Sequence, residues 1–398
     1  MCQGDGVVDT PHDDISDNMC VNNSVPLTHI YIERGLILSF IKDIFLKLYS
    51  HISHINIANI KKNKYKLLQY FFILGFFLFA FLFINEVFIQ PYKSSKALEK
   101  VNTLYDNQDD ASDPIYKAPS TNNQDEQLET VSGSAITVEK DKLELPRDQS
   151  GRLLKFKSLL DVNKDVKGWI TIPDSDIDYV VLQSSEDDPE YYLNHNMFYK
   201  EDKAGSLFLD VNSSVEEQSK NLVIHGHNMT STDNMFHRLI EYKNLDYYKE
   251  RPVFQFDSIY EPGQWKIFSI FITNGTSKKE ELFDYTRSDF RNDSDFLNFI
   301  YQLRIRSLYN MDTIDFNEND TIITLSTCSY EVKDYRTVIV ARKVREGESL
   351  EVDVNNVIIN PEPLYPYTFY YRYGGKAPKL TKTFEEALEN GEIKWYLP

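Results

Sequence analysis

Between Leu67 and Ile84 the chain reads LLQYFFILGFFLFAFLFI, apolar at every position but Gln69. Continued through Val87-Phe88-Ile89, this run reaches the ~20 residues that cross a bilayer as a helix. Lys61, Lys62, Lys64 and Lys66 stand before it, and Glu86 is the first charge after it. The excess of lysine on one flank places the N-terminus in the cytoplasm and everything after about residue 90 outside. Asn85-Glu86-Val87-Phe88 offers no small-x-small cleavage site, so the segment is expected to stay as a signal anchor. The fold must therefore be sought beyond it. Residues 1–60 are expected to be a cytoplasmic tail or an extension upstream of the natural start, and residues 66–90 the anchor. In the tail, Gly35–Leu48 is amphipathic, but too short and too charged to span.

Residues 91–150 are rich in Asp, Asn, Gln, Ser and Thr, as in Asp106-Asn107-Gln108-Asp109-Asp110. Such a stretch buries too little surface to offset its ordering entropy and is expected to form an extracellular stalk, with a short helix over Lys96–Leu104. A formal charge of −18 over 398 residues excludes a nucleic-acid partner, whose phosphates demand a basic surface. That acidity keeps an exported domain soluble.

The region 151–354 carries the folded domain. Leu153, Phe156, Leu159 and Leu160 have helical spacing, ended by Asn163 and Gly168. Strand-like runs follow at Trp169–Ile172, Tyr179–Leu182, Ser206–Asp210, Asn221–His225, Trp265–Thr273, Thr321–Leu325 and Thr337–Lys343. Helical patches fall at Met235–Glu241 and Asp293–Leu308. The expected fold is mainly β with helices: a closed or nearly closed β-barrel of seven to eight strands, an N-terminal helix and a helical insertion before the last strand pair. Residues 355–398 form a proline-punctuated tail with a short helix at Phe384–Leu388; its aromatics suit packing on the barrel, and covering a groove is the alternative.

Cys328 is the chemically telling residue. The cysteines are Cys2, Cys20 and Cys328, and the first two fall on the expected cytoplasmic side, so no disulfide framework exists for the exported domain. A lone thiol there is either a buried small hydrophobe or a working group. Cys328 ends one β-branched run, and Arg336 opens the next. A base is available in His225-Gly226-His227, at the end of the Asn221 run. His-x-His can also chelate zinc, but a catalytic zinc needs a third ligand, and no Cys-x-x-Cys or His-Glu-x-x-His supplies one. No metal is therefore expected, and His225 is read as bonding to loop backbone. Arg342 and Arg345 rival Arg336 on the same run, yet Arg342 lies about 20 Å along an extended strand, out of reach of the thiol.

Leu325-Ser326-Thr327-Cys328 with Arg336, Gly226-His227-Asn228 upstream and the lysine-flanked anchor together resemble the sortases. Asp165-Val166-Lys167-Gly168-Trp169-Ile170 with Ile172-Pro173, Asp178-Tyr179-Val180-Val181 and Ala204-Gly205-Ser206-Leu207-Phe208-Leu209-Asp210 are similar to class B in particular, as is the helical insertion. The resemblance covers about residues 150–350 and leaves out both ends.

It implies a cysteine transpeptidase that needs no cofactor. Cys328 would attack a peptide carbonyl and hold the acyl group as a thioester. His227 would move the protons, and Arg336 would stabilise the oxyanion or clamp the substrate. Ser326, Thr327 and Tyr330 would contact substrate or shape the site, Asn228 would orient His227, and Glu331 takes no catalytic role. The partners implied are surface proteins with an Asn-Pro-x-Thr-like sorting signal, cut after threonine, and an amine of peptidoglycan or its lipid-linked precursor. Two other readings remain open: a cysteine peptidase that passes the acyl group to water, and a surface-binding domain in which Cys328 is merely buried.

Overall fold

The computed structural model describes residues 50, 64–109, 145–275 and 283–398. Residues 1–60, apart from Ser50, and the stalk segment 110–144 lie outside the described residues, as does the amphipathic stretch Gly35–Leu48. The chain divides into two units, Met1–Val87 and Phe88–Pro398.

In the first unit, helix α1 (Lys64–Ile84) leaves Phe71, Phe72, Phe76 and Phe79 exposed. It supplies the apolar stretch of the one helix among the described residues that is long and apolar enough to cross a membrane. Exposed rings of this kind are unfavourable in water and favourable in lipid, which suits an anchor.

The second unit begins with α2 (Gln90–Asp109). The sequence placed these residues in the stalk, but α2 packs on the barrel: Val101 is buried and the Tyr105 ring stacks on Trp169, centroids 4.1 Å apart. After a 3-10 turn comes α3 (Lys157–Val162). The barrel strands are β1 (Val166–Thr171), β2 (Asp178–Gln183), β3 (Leu207–Leu209), β4 (Asn221–His225), β7 (Val253–Ser258), β8 (Gln264–Asn274), β10 (Ile322–Ser329) and β11 (Tyr335–Lys343). A small hairpin of β5 (Asn228–Met229) and β6 (Asn234–Met235) follows β4, and α4 (Leu245–Glu250) precedes β7. Strand β7 was not foreseen, because Gln255 and Asp257 interrupt its apolar residues. The patch expected to be helical at 235–241 is a 3-10 helix, His237–Lys243.

The barrel closes in the order β1-β2-β3-β4-β10-β11-β8-β7. Closure satisfies every strand edge, which an open sheet of this length would leave exposed. The β2–β3 and β4–β10 pairs are parallel, and the others are antiparallel.

Between β8 and β10 lie α5 (Asp293–Arg306) and β9 (Tyr309–Asn310). Asn292 caps α5 by accepting from Asp295 N, with Asp293 and Asp295 in the first turn and Arg304 and Arg306 in the last, as the helix dipole favours. Its buried face is Phe296, Phe299, Ile300 and Leu303, at helical spacing. The C-terminal extension holds β12 (Ile358–Ile359), which pairs with β9, then α6 (Tyr367–Tyr373) and α7 (Phe384–Glu389).

Two apolar clusters result, and strand alternation divides them. Ile323 and Leu325 of β10, with Ile339 and Ala341 of β11, join the cluster that fills the barrel. Ile322, Val338 and Val340 face the other way, against Phe296, Ile300, Phe384 and Trp395. Cys328 and Arg336 share the parity of this second set, so their side chains belong to the outer face of the sheet, at the end of the cluster under α5.

Candidate active site

Three neighbouring strands bring the chemistry together. The β4–β10 pair is parallel and its last register pair sets His225 opposite Ser326, two residues before His227 on one chain and before Cys328 on the other. Neighbouring strands lie about 4.8 Å apart, which sets the scale of that juxtaposition. The β10–β11 pair is antiparallel with Cys328 directly opposite Arg336. Cys328 thus stands opposite Arg336 on one side, and on the other the chain runs on from the end of β4 into His227. Cys328 and Arg336 are half-buried, whereas Thr327, Ser329, Tyr335 and Thr337 beside them are buried. Cys328 is in no disulfide.

Hydrogen bonds fix the frame. Gly226 N donates to Ser326 O at 3.1 Å, and Thr327 Oγ1 donates to Gly226 O at 2.9 Å. Gly226 is required there: a Cβ would come within 2.3 Å of Leu207 Cδ2 and 2.8 Å of Phe236 Cδ2. Asn228 Nδ2 donates to Cys328 O at 3.0 Å. With its amide nitrogen so used, Asn228 Oδ1 accepts from His237 Nδ1 at 2.6 Å, and His237 Nε2 lies 3.1 Å from Asp233 Oδ1. Asn228 therefore orients the strand end that carries the thiol. Tyr330 OH donates to Asn228 O at 2.9 Å while its ring stays exposed at the rim.

His227 Nε2 lies 2.8 Å from Leu193 O. A carbonyl only accepts, so Nε2 carries the hydrogen, and the neutral ring presents Nδ1 as its basic nitrogen. Burial disfavours the charged ring and holds the His227 pKa below 6.5; the Leu193 bond opposes this, and the nearby Arg336 cation reinforces it. His225 is engaged separately, by Asp210 Oδ2 at 3.1 Å, where a loop-backbone partner was expected. Among the described residues no group of three or more His, Cys, Asp or Glu side chains is arranged to hold a metal.

Ser326 and Thr327 are both only 2% exposed. Ser326 Oγ pairs with Tyr285 OH at 3.0 Å, a contact that sequence reasoning missed, since Tyr285 looks like any core aromatic. Burial pushes the Tyr285 hydroxyl pKa up, so it stays a neutral hydrogen-bonding group. Gly275 was also missed. A Cβ there would stand 2.9 Å from Asp334 O and 3.1 Å from Arg336 Cζ, so the end of β8 must be bare where the arginine passes. A glycine directly after a long strand was the available signal.

A model of the sortase domain matches residues 170–344, which span this constellation. Sortase B of Listeria monocytogenes is 35% identical over 181 residues, 46% of this chain and 69% of the relative. The chain belongs to the class B sortases. Sortase B of Staphylococcus aureus is 31% identical to this sortase over 193 residues, 48% of this chain and 75% of the relative. The Staphylococcus aureus sortase B–substrate complex aligns at 31% identity with a TM-score of 0.43, covering 48% of this chain and 85% of that one. A Clostridium perfringens sortase B aligns at 30% with a TM-score of 0.43, covering 48% and 99%. The protein is thus a sortase cysteine transpeptidase of the cell-wall sorting type, acting on sorting-signal substrates.

Proposed function

We propose that Cys328, His227 and Arg336 carry the transpeptidation. The Cys328 thiolate adds to the carbonyl after the threonine of an Asn-Pro-x-Thr-like signal. His227 Nδ1, which takes the thiol's proton as the thiolate forms, gives it to the departing amine as the C–N bond breaks. An acceptor amine next adds to the thioester and loses a proton to Nδ1 of His227. The sulfur leaves as thiolate, and a new amide remains. Arg336 is a permanent cation with a fork of donors, suited to the tetrahedral oxyanion or to the substrate backbone. Tyr330 is the substrate contact at the rim, while Ser326 and Thr327 shape the site from beneath.

The acceptor in this reading is a peptidoglycan or lipid-linked precursor amine. Residues 66–90 anchor the enzyme with its N-terminus inside, residues 91–150 form the stalk, helical and packed on the barrel up to Asp109, residues 151–354 are the catalytic domain, and residues 355–398 pack on the barrel. The observation that carries the reading is the double register of β10: parallel to β4 towards His227, antiparallel to β11 at Arg336. A half-buried Cys328 disfavours an inert core thiol.

The test incubates the detergent-solubilised full chain with a signal peptide and an amine. The expected result is a thioester on Cys328 seen by mass spectrometry and an amide product, both lost in Cys328→Ala. Product that stays purely hydrolytic with amine present supports the peptidase reading instead.

A further inference from the structure

The turn Tyr330–Asp334 begins two residues after Cys328 and ends two before Arg336. Its shape therefore sets how thiol and guanidinium face each other. Asp334 sits at φ 68°, left-handed backbone that a non-glycine residue adopts only when its surroundings impose it. Those surroundings come from three sides. From the 3-10 helix, Lys243 Nζ pairs with the Glu331 carboxylate, which also accepts from Ser329 Oγ; Thr337 Oγ1 donates to Ser329 Oγ at 3.1 Å. Burial alone would raise the Glu331 pKa, but the Lys243 and Ser329 bonds outweigh it and keep the carboxyl below its ordinary value, hence ionised. From β8, Gly275 N donates to Asp334 O at 2.7 Å.

The third side is the C-terminal extension. Tyr373 OH, at the end of α6, donates to Glu331 O at 2.7 Å. Thr368 Oγ1, in its first turn, meets Tyr335 OH at 2.6 Å. Tyr335 is 2% exposed, adjoins Arg336 and pairs with Ser329 across the ladder. Helix α6 thus grips the turn at both ends. It lies beyond residue 344, where the sortase-domain match stops.

We propose that α6 is a positioning element of the active site: Thr368 and Tyr373, acting through Tyr335 and Glu331, hold Cys328 opposed to Arg336. This rests on the reading of Cys328 as nucleophile. The physical reason is that Cys328 and Arg336 form the second-last pair of the β10–β11 ladder, where the turn has most hold on how the strand ends lie, and displacements of about 1 Å are costly in rate. A helix that merely fills space would need no paired hydroxyls at the turn. A lid would cover substrate rather than bond to the two residues that flank the catalytic pair.

Deleting residues 355–398 is a poor test, because Phe384, Ala387 and Trp395 are buried in the second cluster and the barrel would suffer with them. The cleaner variants in the full chain are Thr368→Val, Tyr373→Phe and their double, with Thr368→Ser as the variant that keeps a hydroxyl. Each lost bond should lower kcat roughly two- to tenfold, the rate equivalent of one net hydrogen bond. KM for the peptide should stay unchanged, Tm should fall by no more than the few degrees of one lost hydrogen bond with the protein still folded at the assay temperature, and Thr368→Ser should restore kcat. A double variant with native kcat overturns the proposal. So does a fall in kcat that only follows a fall in Tm, or a rise in turnover, which would mark α6 as a lid. Cys328→Ala run alongside separates the two levels. If it still forms amide, the reading of the site fails and takes the proposal with it. If it is inactive and the double variant is native-like, the proposal alone fails.

Discussion

Strand β11 carries two arginines, one at each end, and the protein treats them oppositely. Arg342 is fully buried. Its Nη1 and Nη2 donate to the two carboxylate oxygens of Glu348 at 2.8 and 2.6 Å, and its guanidinium lies 5.8 Å from the Phe316 ring centroid. Burial would raise the Glu348 pKa, but Arg342 and Lys266 override it and pull it down to about 2. Arg336 is half-buried; it donates to Tyr335 O at 3.2 Å, and no carboxylate among the described residues pairs with it. One cation is neutralised where the barrel meets its second cluster. The other has no such partner, and in the proposed reaction its donors meet charge that arises only during the chemistry. In that reading, identical chemistry becomes structural or functional according to whether a carboxylate has been supplied.

The sharpest way to break this contrast is Arg342→Met. Removing one partner of a buried pair costs about 3–5 kcal/mol, so the urea midpoint should fall steeply while kcat per folded molecule holds. Lost activity in the folded fraction would mean that the far end is catalytic too. Arg336→Lys should do the reverse. It keeps a charge and loses the fork, and turnover should drop roughly 100-fold, the scale of one oxyanion donor, with Tm unchanged. An equal drop in Tm would make Arg336 structural like Arg342.

The smallest effect concerns His227, which borders the uncompensated cation. Its folded pKa lies below the ordinary 6.5, so the unfolded chain binds the proton more tightly. Its contribution to stability is therefore complete above 6.5 and is lost as pH falls through that value towards the folded pKa. Tm should decline over that window in the native protein and less steeply in His227→Asn. Equal slopes would remove the His227 assignment.

Much of this was legible in the chain. The β-branched runs at Thr321–Leu325 and Thr337–Lys343 gave β10 and β11, because alternation and side-chain shape act locally. The Gly-His-Asn and Ser-Thr-Cys runs gave the candidate chemistry and the family. Strand β7 was not legible, because its polar residues take partners from elsewhere: Asp257 is 1% exposed and is held by Lys155 at 2.5 Å. Nor was the packing of α2, expected only as a short helix over Lys96–Leu104: its Tyr105 and Val101 look unremarkable in a polar stretch until Trp169 is set against them. Asn228 was expected to act on His227, but sequence adjacency does not say which way an amide turns.

By itself, then, the sequence determined one apolar span, an acidic chain with a domain of short strands, and a thiol, an imidazole and a guanidinium in sortase order. Those properties depend on neighbours along the chain. The tertiary structure decided which strands adjoin, and so that Arg336 stands opposite Cys328 while β4, which leads into His227, pairs with the other side of β10. It also decided which arginine was given a carboxylate, and that a helix far along the chain grips the turn between thiol and guanidinium. Those are relations between residues distant in sequence, and only the folded barrel establishes them.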